Sequence, residues 1–236
     1  GVEDIVLVER FGLLHPRGSS HGAGRVTRST YVHPTYVRLM IEAHDVAWPA
    51  LEEACGEQLI HRTGGCVFGP PAGDFEAYAS AVAVGGVAVE HLSPPVARER
   101  IPCFRFGADD GALWDPTAGV VRAEATMTAL VRLCHEAGVR FLENTQVERL
   151  DLDADRPAAV TSAGRIEAER IVITAGGWAS RLVPRLASAL KVIRQSVAYL
   201  DLGDWGPGEL GSMPPWVWLG GPSDGVYYGL PAHDGE

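Results

Sequence analysis

Ile5-Val6-Leu7-Val8 is an uninterrupted aliphatic run that ends in an acid, Glu9. A run of this kind, without polar alternation, predicts a short strand buried on both faces of a parallel sheet. Residues 36–55 follow a helical period, with Tyr36, Leu39, Met40, Ala43, Val46, Ala47 and Leu51 on the apolar stripe. Pro49 is expected to kink that pattern or to begin a second helix, and Gly56 to stop it. Residues 59–62 and 64–69 read as strands about a tight turn, 74–84 as an alanine-rich helix ending at Gly85-Gly86, and 87–89 as a short strand.

A proline-punctuated connection is expected over 93–102. Residues 124–137 predict a helix stopped by Gly138, and 139–142 a strand, in a β-α-β rhythm. The segments 145–150, 159–161 and 165–167 predict a small antiparallel sheet. Arg170-Ile171-Val172-Ile173-Thr174-Ala175-Gly176-Gly177-Trp178 returns to the buried parallel pattern, with a helix starting near Trp178. Alternation over 192–200 suits an antiparallel strand. A Gly/Pro-rich loop over 203–215 then leads to a hairpin of 216–219 and 226–231 about the turn Pro222-Ser223-Asp224-Gly225.

The candidate chemistry lies in and just after the first strand. An acid at the carboxyl end of a buried strand is where a dinucleotide-binding fold accepts hydrogen bonds from ribose hydroxyls. The loop that follows contains Gly18-Ser19-Ser20-His21-Gly22-Ala23-Gly24-Arg25-Val26-Thr27-Arg28. Its small residues admit a ligand close to the backbone, and its two arginines can hold anions. The alternative reading of each part is plain: a loop-capping acid, two surface arginines and a bystander histidine. The strand–helix junction at Ala175-Gly176-Gly177 is a second place where backbone can approach a cofactor.

Composition narrows the class. The 236 residues suffice for one large domain or two small interleaved ones. A formal charge of −10 argues against a general nucleic-acid binder, which needs clustered Lys and Arg. Cys55, Cys66, Cys103 and Cys134 lack CxxC spacing and read as thiols of a reducing, cytoplasmic compartment. No apolar run is long enough for a membrane span, no histidine spacing suggests a metal, and no G-x-S-x-G supports a nucleophilic serine. A chain that enters a strand directly after Gly1-Val2-Glu3-Asp4 and stops just after a strand-like segment reads as an internal fragment.

Taken together, the strand ending in Glu9, the Ser20-His21-Gly22 element and the Arg25-x-x-Arg28 pair resemble the opening of the monomeric sarcosine oxidase family, within the D-amino-acid-oxidase-like flavoenzymes. The resemblance continues, in order, through Thr63-Gly64 and Phe68-Gly69-Pro70, the strand and turn of 112–121, the Ala175-Gly176-Gly177-Trp178 element and Tyr227-Tyr228-Gly229-Leu230-Pro231. It implies an α/β fold in which a Rossmann-like FAD-binding domain (1–60 and 118–190) is interleaved with an α+β substrate domain built on an antiparallel sheet (61–117 and 191–236).

The resemblance also implies roles. FAD would be held at Glu9, Arg10, Ser20, His21, Arg25, Val147, Ala175, Gly176 and Trp178. Arg28 would bind the substrate carboxylate, Arg25 would stand near the flavin ring, and His21 and Tyr228 would complete the site. The activity so implied is oxidation of the C–N bond of a small secondary amino acid such as sarcosine by a monomeric enzyme, with oxygen as the second substrate. Pipecolate, N-methyltryptophan, glycine and D-amino-acid oxidases, and dehydrogenases, are the alternatives within that class. A non-catalytic nucleotide-binding module is the alternative outside it. Three family features are expected beyond these residues: the G-x-G-x-x-G turn, a lysine tied to oxygen reactivity and a flavin-tethering cysteine.

Overall fold

The computed structural model describes residues 3–201, 213–221 and 224–231. In chain order, the elements begin with strands β1 (Val6–Val8) and β2 (Gly24–Thr27), followed by helix α1 (Pro34–Glu42). A π-helical turn (Ala43–Ala47) joins α1 to α2 (Trp48–Cys55). Next come β3 (Ile60–Arg62), β4 (Gly65–Gly69), α3 (Phe75–Gly85), β5 (Glu90–Leu92), α4 (Pro94–Arg100), β6 (Gly111–Asp115), β7 (Gly119–Arg122) and α5 (Ala123–Glu136). The chain continues through β8 (Arg140–Leu142), β9 (Val147–Asp151), β10 (Ala158–Thr161), β11 (Gly164–Glu167), α6 (Ala179–Leu182), β12 (Trp216–Leu219) and β13 (Val226–Gly229).

These elements fall into two compact units, Gly1–His21 with Leu130–Leu200, and Gly22–Ala129 with Asp201–Glu236. In the first, β1 and β8 pair in parallel, Leu7 opposite Phe141. Beside them in sequence, β9, β10 and β11 form an antiparallel sheet, as the alternation of these segments predicts. The second unit holds an antiparallel sheet in the order β2-β7-β3 and a mixed sheet in the order β13-β12-β4-β6-β5.

The mixed sheet is buried on both faces through its centre. Val67, Leu113, Val217 and Leu219 meet Val37 of α1 and Phe75 and Val82 of α3 on one face. Cys66, Phe68, Ala112 and Leu92 meet Ala97, Ile101 and Phe106 on the other. Gly85 permits the close approach of α3 to α1, since a Cβ there would lie 2.3 Å from Val37 Cγ1. The hairpin of β12 and β13 forms with Val217 opposite Tyr228, closed by the Gly220 N–H donating to the Gly225 carbonyl.

Several expectations are overturned. Strand β1 is not buried on both faces: Leu7 is 38% exposed and its neighbours are half-buried, because β8 is its one partner strand among the described residues. The apolar stripe of 36–55 is out of phase, since Tyr36, Leu39 and Val46 are exposed while Val37 and His44 are buried. The π-helical turn contributes to this by rotating everything after Glu42 relative to an ideal period.

The strand expected at 87–89 forms at 90–92, where the backbone reaches the β6 ladder, while Val87 and Val89 pack against the core as an irregular segment. The proline-punctuated connection is helix α4, because Pro94 and Pro95 occupy the first turn, where a missing N–H costs nothing. The β-α-β rhythm around α5 does not share one sheet: β7 runs antiparallel to β2 and β3, and β8 pairs with β1. Residues 170–175 join no ladder, and Val172 is 84% exposed; the segment ends in a 3₁₀ turn over Gly176–Trp178. The strand expected over 192–200 is likewise unpaired and exposed. The loop of 203–215 and the first two turn residues of the hairpin fall largely outside the described residues.

What fixes the geometry of the second unit is a fully buried carboxylate, Asp115, at the end of β6. Its Oδ2 accepts from the backbone N–H groups of Ser29 (2.6 Å) and Thr30 (3.1 Å). Its Oδ1 accepts from the Thr117 N–H (2.9 Å) and hydroxyl (2.6 Å). The Ser29 and Thr117 hydroxyls lie 2.8 Å apart and close the ring. Asp115→Ala leaves two buried backbone donors without an acceptor, so urea unfolding is expected to show a loss of roughly 3 kcal/mol or more, and Asp115→Asn about half of that. Unchanged midpoints for both variants would refute the clamp.

Candidate active site

Arg28 follows directly on β2, between the buried Thr27 and the clamped Ser29 and Thr30. Its guanidinium lies 4.1 Å from the centre of the Tyr31 ring and 5.8 Å from that of Tyr78 on α3. Stacking on aromatic faces suits a planar, weakly hydrated cation and keeps its donor fork free for an anion. One terminal nitrogen, Nη1, is buried and has no hydrogen-bond partner. An unpaired buried charged donor is costly, and a planar carboxylate is the group that matches it.

Arg28 and Thr30 both line a small cavity walled by Val26, Asp115, Val67 and Val217. Thr30 Oγ1, buried in the same place, is unpartnered too. Cys66 forms another part of the wall, and burial pushes its thiol up to about 12, which makes it a packing group rather than a nucleophile. Tyr228 stands on the edge strand β13, 53% exposed, directly opposite Val217, so one register pair separates it from the cavity wall.

Behind Arg28, His44 sits in the π-helical turn, 3% exposed, with Nε2 2.8 Å from Thr27 Oγ1. Arg62 donates to the His44 carbonyl at 3.2 Å. Burial holds the His44 imidazole below its ordinary value, and the Arg62 cation acts in the same direction; Asp115 and Asp45 oppose them. Arg25 lies on β2 opposite Val121, with its guanidinium exposed and Nη1 donating to the Gly24 carbonyl.

The first unit carries the remaining candidates. Glu9 follows β1 directly, and its Oε1 accepts from the Phe11 N–H (3.0 Å) and faces His15 Nε2 (3.3 Å). The guanidinium groups of Arg10 and Arg17 lie over the Phe11 ring, 5.3 and 4.8 Å from its centre, and Trp178 meets the same ring edge-on. Glu9, Arg10 and Trp178 are therefore gathered about Phe11. Gly176 has a φ of 50° and open space where a Cβ would stand, which leaves the backbone at Ala175 and Gly176 accessible. Val147 opens β9 at its pairing with Thr161. Ser20 is exposed, and His21 Nδ1 lies 2.7 Å from the Gly18 carbonyl. A carboxylate at a strand end, cations beside it and bare glycine backbone form a donor and acceptor set that fits the ribose and phosphates of a dinucleotide.

Reasoning from sequence missed Tyr31, Tyr78, Thr30, His44 and Asp115 as parts of this arrangement. The Trp114-Asp115-Pro116-Thr117 turn carried a local signal for Asp115, since an aspartate there bonds the backbone two residues on. His44 carried none, because it lies on the Val37 face of the helix, opposite the apolar stripe read from the sequence.

No helix among the described residues is long and apolar enough to cross a membrane. The model of the FAD dependent oxidoreductase family, DAO, matches residues 1–236. Human peroxisomal sarcosine oxidase is 31% identical over 234 residues, covering 96% of this chain and 58% of its own length. N-methyl-L-tryptophan oxidase of Salmonella enteritidis is 30% identical over 230 residues, covering 94% and 59%. The chain thus spans less than two thirds of the relatives it matches. Among solved structures, the open form of NikD, an unusual amino acid oxidase essential for nikkomycin biosynthesis, superposes with a TM-score of 0.73 at 23% identity, covering 98% of this chain and 60% of that one. That likeness is one of fold: the Rossmann-like and antiparallel-sheet architecture of the FAD oxidases. The chain belongs to the FAD dependent oxidoreductase (DAO) family.

Proposed function

We propose that the protein oxidises the C–N bond of a small secondary amino acid, sarcosine or another N-methyl amino acid, and acts as a monomer with oxygen as its second substrate. The observation that carries this reading is the buried, unpartnered Nη1 of Arg28, set between two tyrosine rings in a chain of an FAD-dependent family. Identities near 30% to sarcosine and N-methyltryptophan oxidases support the N-methyl amino-acid class.

In this reading the Arg28 fork binds both carboxylate oxygens, and the Tyr31 and Tyr78 rings keep water from the back of the guanidinium. The anchored acid turns its α-carbon and amine toward the reaction centre, a gain in orientation rather than in chemistry. Tyr228 borders the pocket on the β13 side. Arg25 and His21 would help hold FAD, and the Arg25 cation would offset negative charge that accumulates as the substrate C–H bond breaks. Glu9 would accept hydrogen bonds from the ribose, and Arg10, Ser20, Val147, Ala175, Gly176 and Trp178 would form the rest of the surface that holds FAD. Bound FAD supplies the two-electron acceptor. The oxidised amino acid leaves as an imine that water hydrolyses, and oxygen takes up the electrons to give peroxide.

The full-length protein in an anaerobic cuvette gives the direct test. Sarcosine is expected to bleach its visible flavin band, and a band that no N-methyl or D-amino acid bleaches would overturn the substrate class. A protein without flavin would leave a nucleotide-binding module as the reading. Arg28→Ala is expected to raise KM for sarcosine on the order of a hundredfold, the loss of a bidentate charged pair. Arg28→Lys keeps the charge but not the fork and should recover only part of that; an unchanged KM in both variants would remove Arg28 from the site.

A further inference from the structure

We infer that His44 is a positioning residue for the substrate carboxylate site: as a neutral imidazole it holds the Arg28-bearing end of β2 through Thr27, and a second proton loosens that hold by burying a charged N–H at Nδ1 with no acceptor. The inference rests on the proposed role of Arg28 in carboxylate binding. Three observations carry it. The side chain is almost wholly buried, which is unusual for a histidine outside a designed contact. Its Nε2 meets Thr27 Oγ1 at 2.8 Å, and Thr27 is the last residue of β2, one position before Arg28. Its other ring nitrogen, Nδ1, is buried without a partner.

Helical spacing supplies the aim: His44, the second residue of the π-helical turn, follows Val37 by seven residues, about two turns, and so faces inward on the same side. The Arg62 hydrogen bond to the His44 carbonyl occupies an acceptor in that turn. The backbone N–H groups of Ser29 and Thr30 are already held by Asp115, so Arg28 is bracketed, with Thr27 on His44 on one side and the carboxylate clamp on the other.

A second proton would change this bracket in a definite direction. Both ring nitrogens would then be donors: Nε2–H still meets Thr27 Oγ1, whose lone pairs accept, but a charged N–H would stand buried at Nδ1 without an acceptor, a cost that works against the packing of the ring. The charged groups that bear on the ring are Arg62 on β3, which repels the added charge, and Asp115 at the end of β6 and Asp45 in the same turn, which attract it. Burial and Arg62 prevail, so the folded protein binds this proton more weakly than the unfolded chain does. The unfolded chain takes up the proton near the ordinary value of 6.5. The contribution of His44 to stability is therefore whole above that pH and is lost as the pH falls from there toward the lower folded value.

The test uses the full-length protein, with the Arg28 side-chain resonance as a readout independent of activity. The Tyr31 ring 4.1 Å away gives that resonance a ring-current shift that follows the placement of the guanidinium. His44→Leu and Thr27→Val are expected to move it toward the position of an exposed arginine. Each should raise KM for sarcosine about tenfold with kcat within about twofold, the size of one positioning hydrogen bond. His44→Gln, which offers an amide where Nε2 stood and cannot be protonated, should restore both and remove the rise in KM that the wild type shows at acid pH, beneath the ordinary histidine range.

An Arg28 resonance that stays in place in both deletion variants overturns the inference, as does a glutamine that restores neither readout. Should either deletion variant fail to fold, the other decides. Should no amino acid act as substrate, the proposed function fails, and the resonance still decides whether His44 positions Arg28.

Discussion

One buried carboxylate organises the part of the molecule that matters most here. Asp115 gathers four donors from two distant stretches of chain, Ser29 and Thr30 on one side and Thr117 on the other. A carboxylate with no exposed surface is tolerated only if such donors replace the water it has lost. The replacement is local and rigid, because three of the four donors are backbone N–H groups whose positions the β2–β7 ladder and the Asp115 turn already constrain. The backbone on either side of Arg28 is therefore fixed before any ligand arrives. Preorganisation of this kind is what turns a loop arginine into a binding group, because the entropy of ordering it is spent in folding rather than in binding.

The aromatic rings complete what the clamp begins. A guanidinium buried without an anion would be expelled toward water if its flanks were aliphatic. Tyr31 and Tyr78 present π-faces instead, and the interaction leaves the donor fork uncommitted. The mixed sheet beneath carries the load, with Val67, Leu113, Val217 and Leu219 packed against α1 and α3. Burial of side chains of this size contributes about 2 kcal/mol each, enough to hold one uncompensated donor in place.

Much of this architecture is legible in the sequence where the signal is local. The antiparallel sheet of β9, β10 and β11, the hairpin of β12 and β13, and the glycine stops at Gly56, Gly86 and Gly138 follow from alternation and from positive φ. The arginine pair and Glu9 stand out because residue type, spacing and position after a strand coincide. What was not legible depends on partners. Residues 170–175 and 192–200 have strand composition, yet a strand exists only where another lies beside it, and among the described residues none does. The shift of β5 to 90–92 is set by its register on β6, and the burial phase of α1 by the packing of Val37 against α3 and the mixed sheet. The boundaries expected at 60, 117 and 190 are those the family resemblance implies; strand pairing draws 24–27, 60–62 and 119–122 into one sheet.

On the proposed reading, the carboxylate anchor would say little about which amino acid is bound. An arginine fork between two rings recognises a carboxylate and is indifferent to what the α-carbon bears. Sarcosine and N-methyltryptophan share that carboxylate and the methylated amine, and differ only in the side chain. Discrimination between them must come from groups that meet the side chain and the nitrogen, by steric exclusion or by an unpaired polar group, rather than from the anchor. Tyr228 lies on an edge strand, half exposed and across from a wall of the cavity that Arg28 lines. An edge strand has one side without a partner, so its side chains can change size without disturbing a ladder beyond it. On the proposed reading, the anchoring nitrogen of Arg28 is buried where change is costly, and Tyr228 stands where change is cheap.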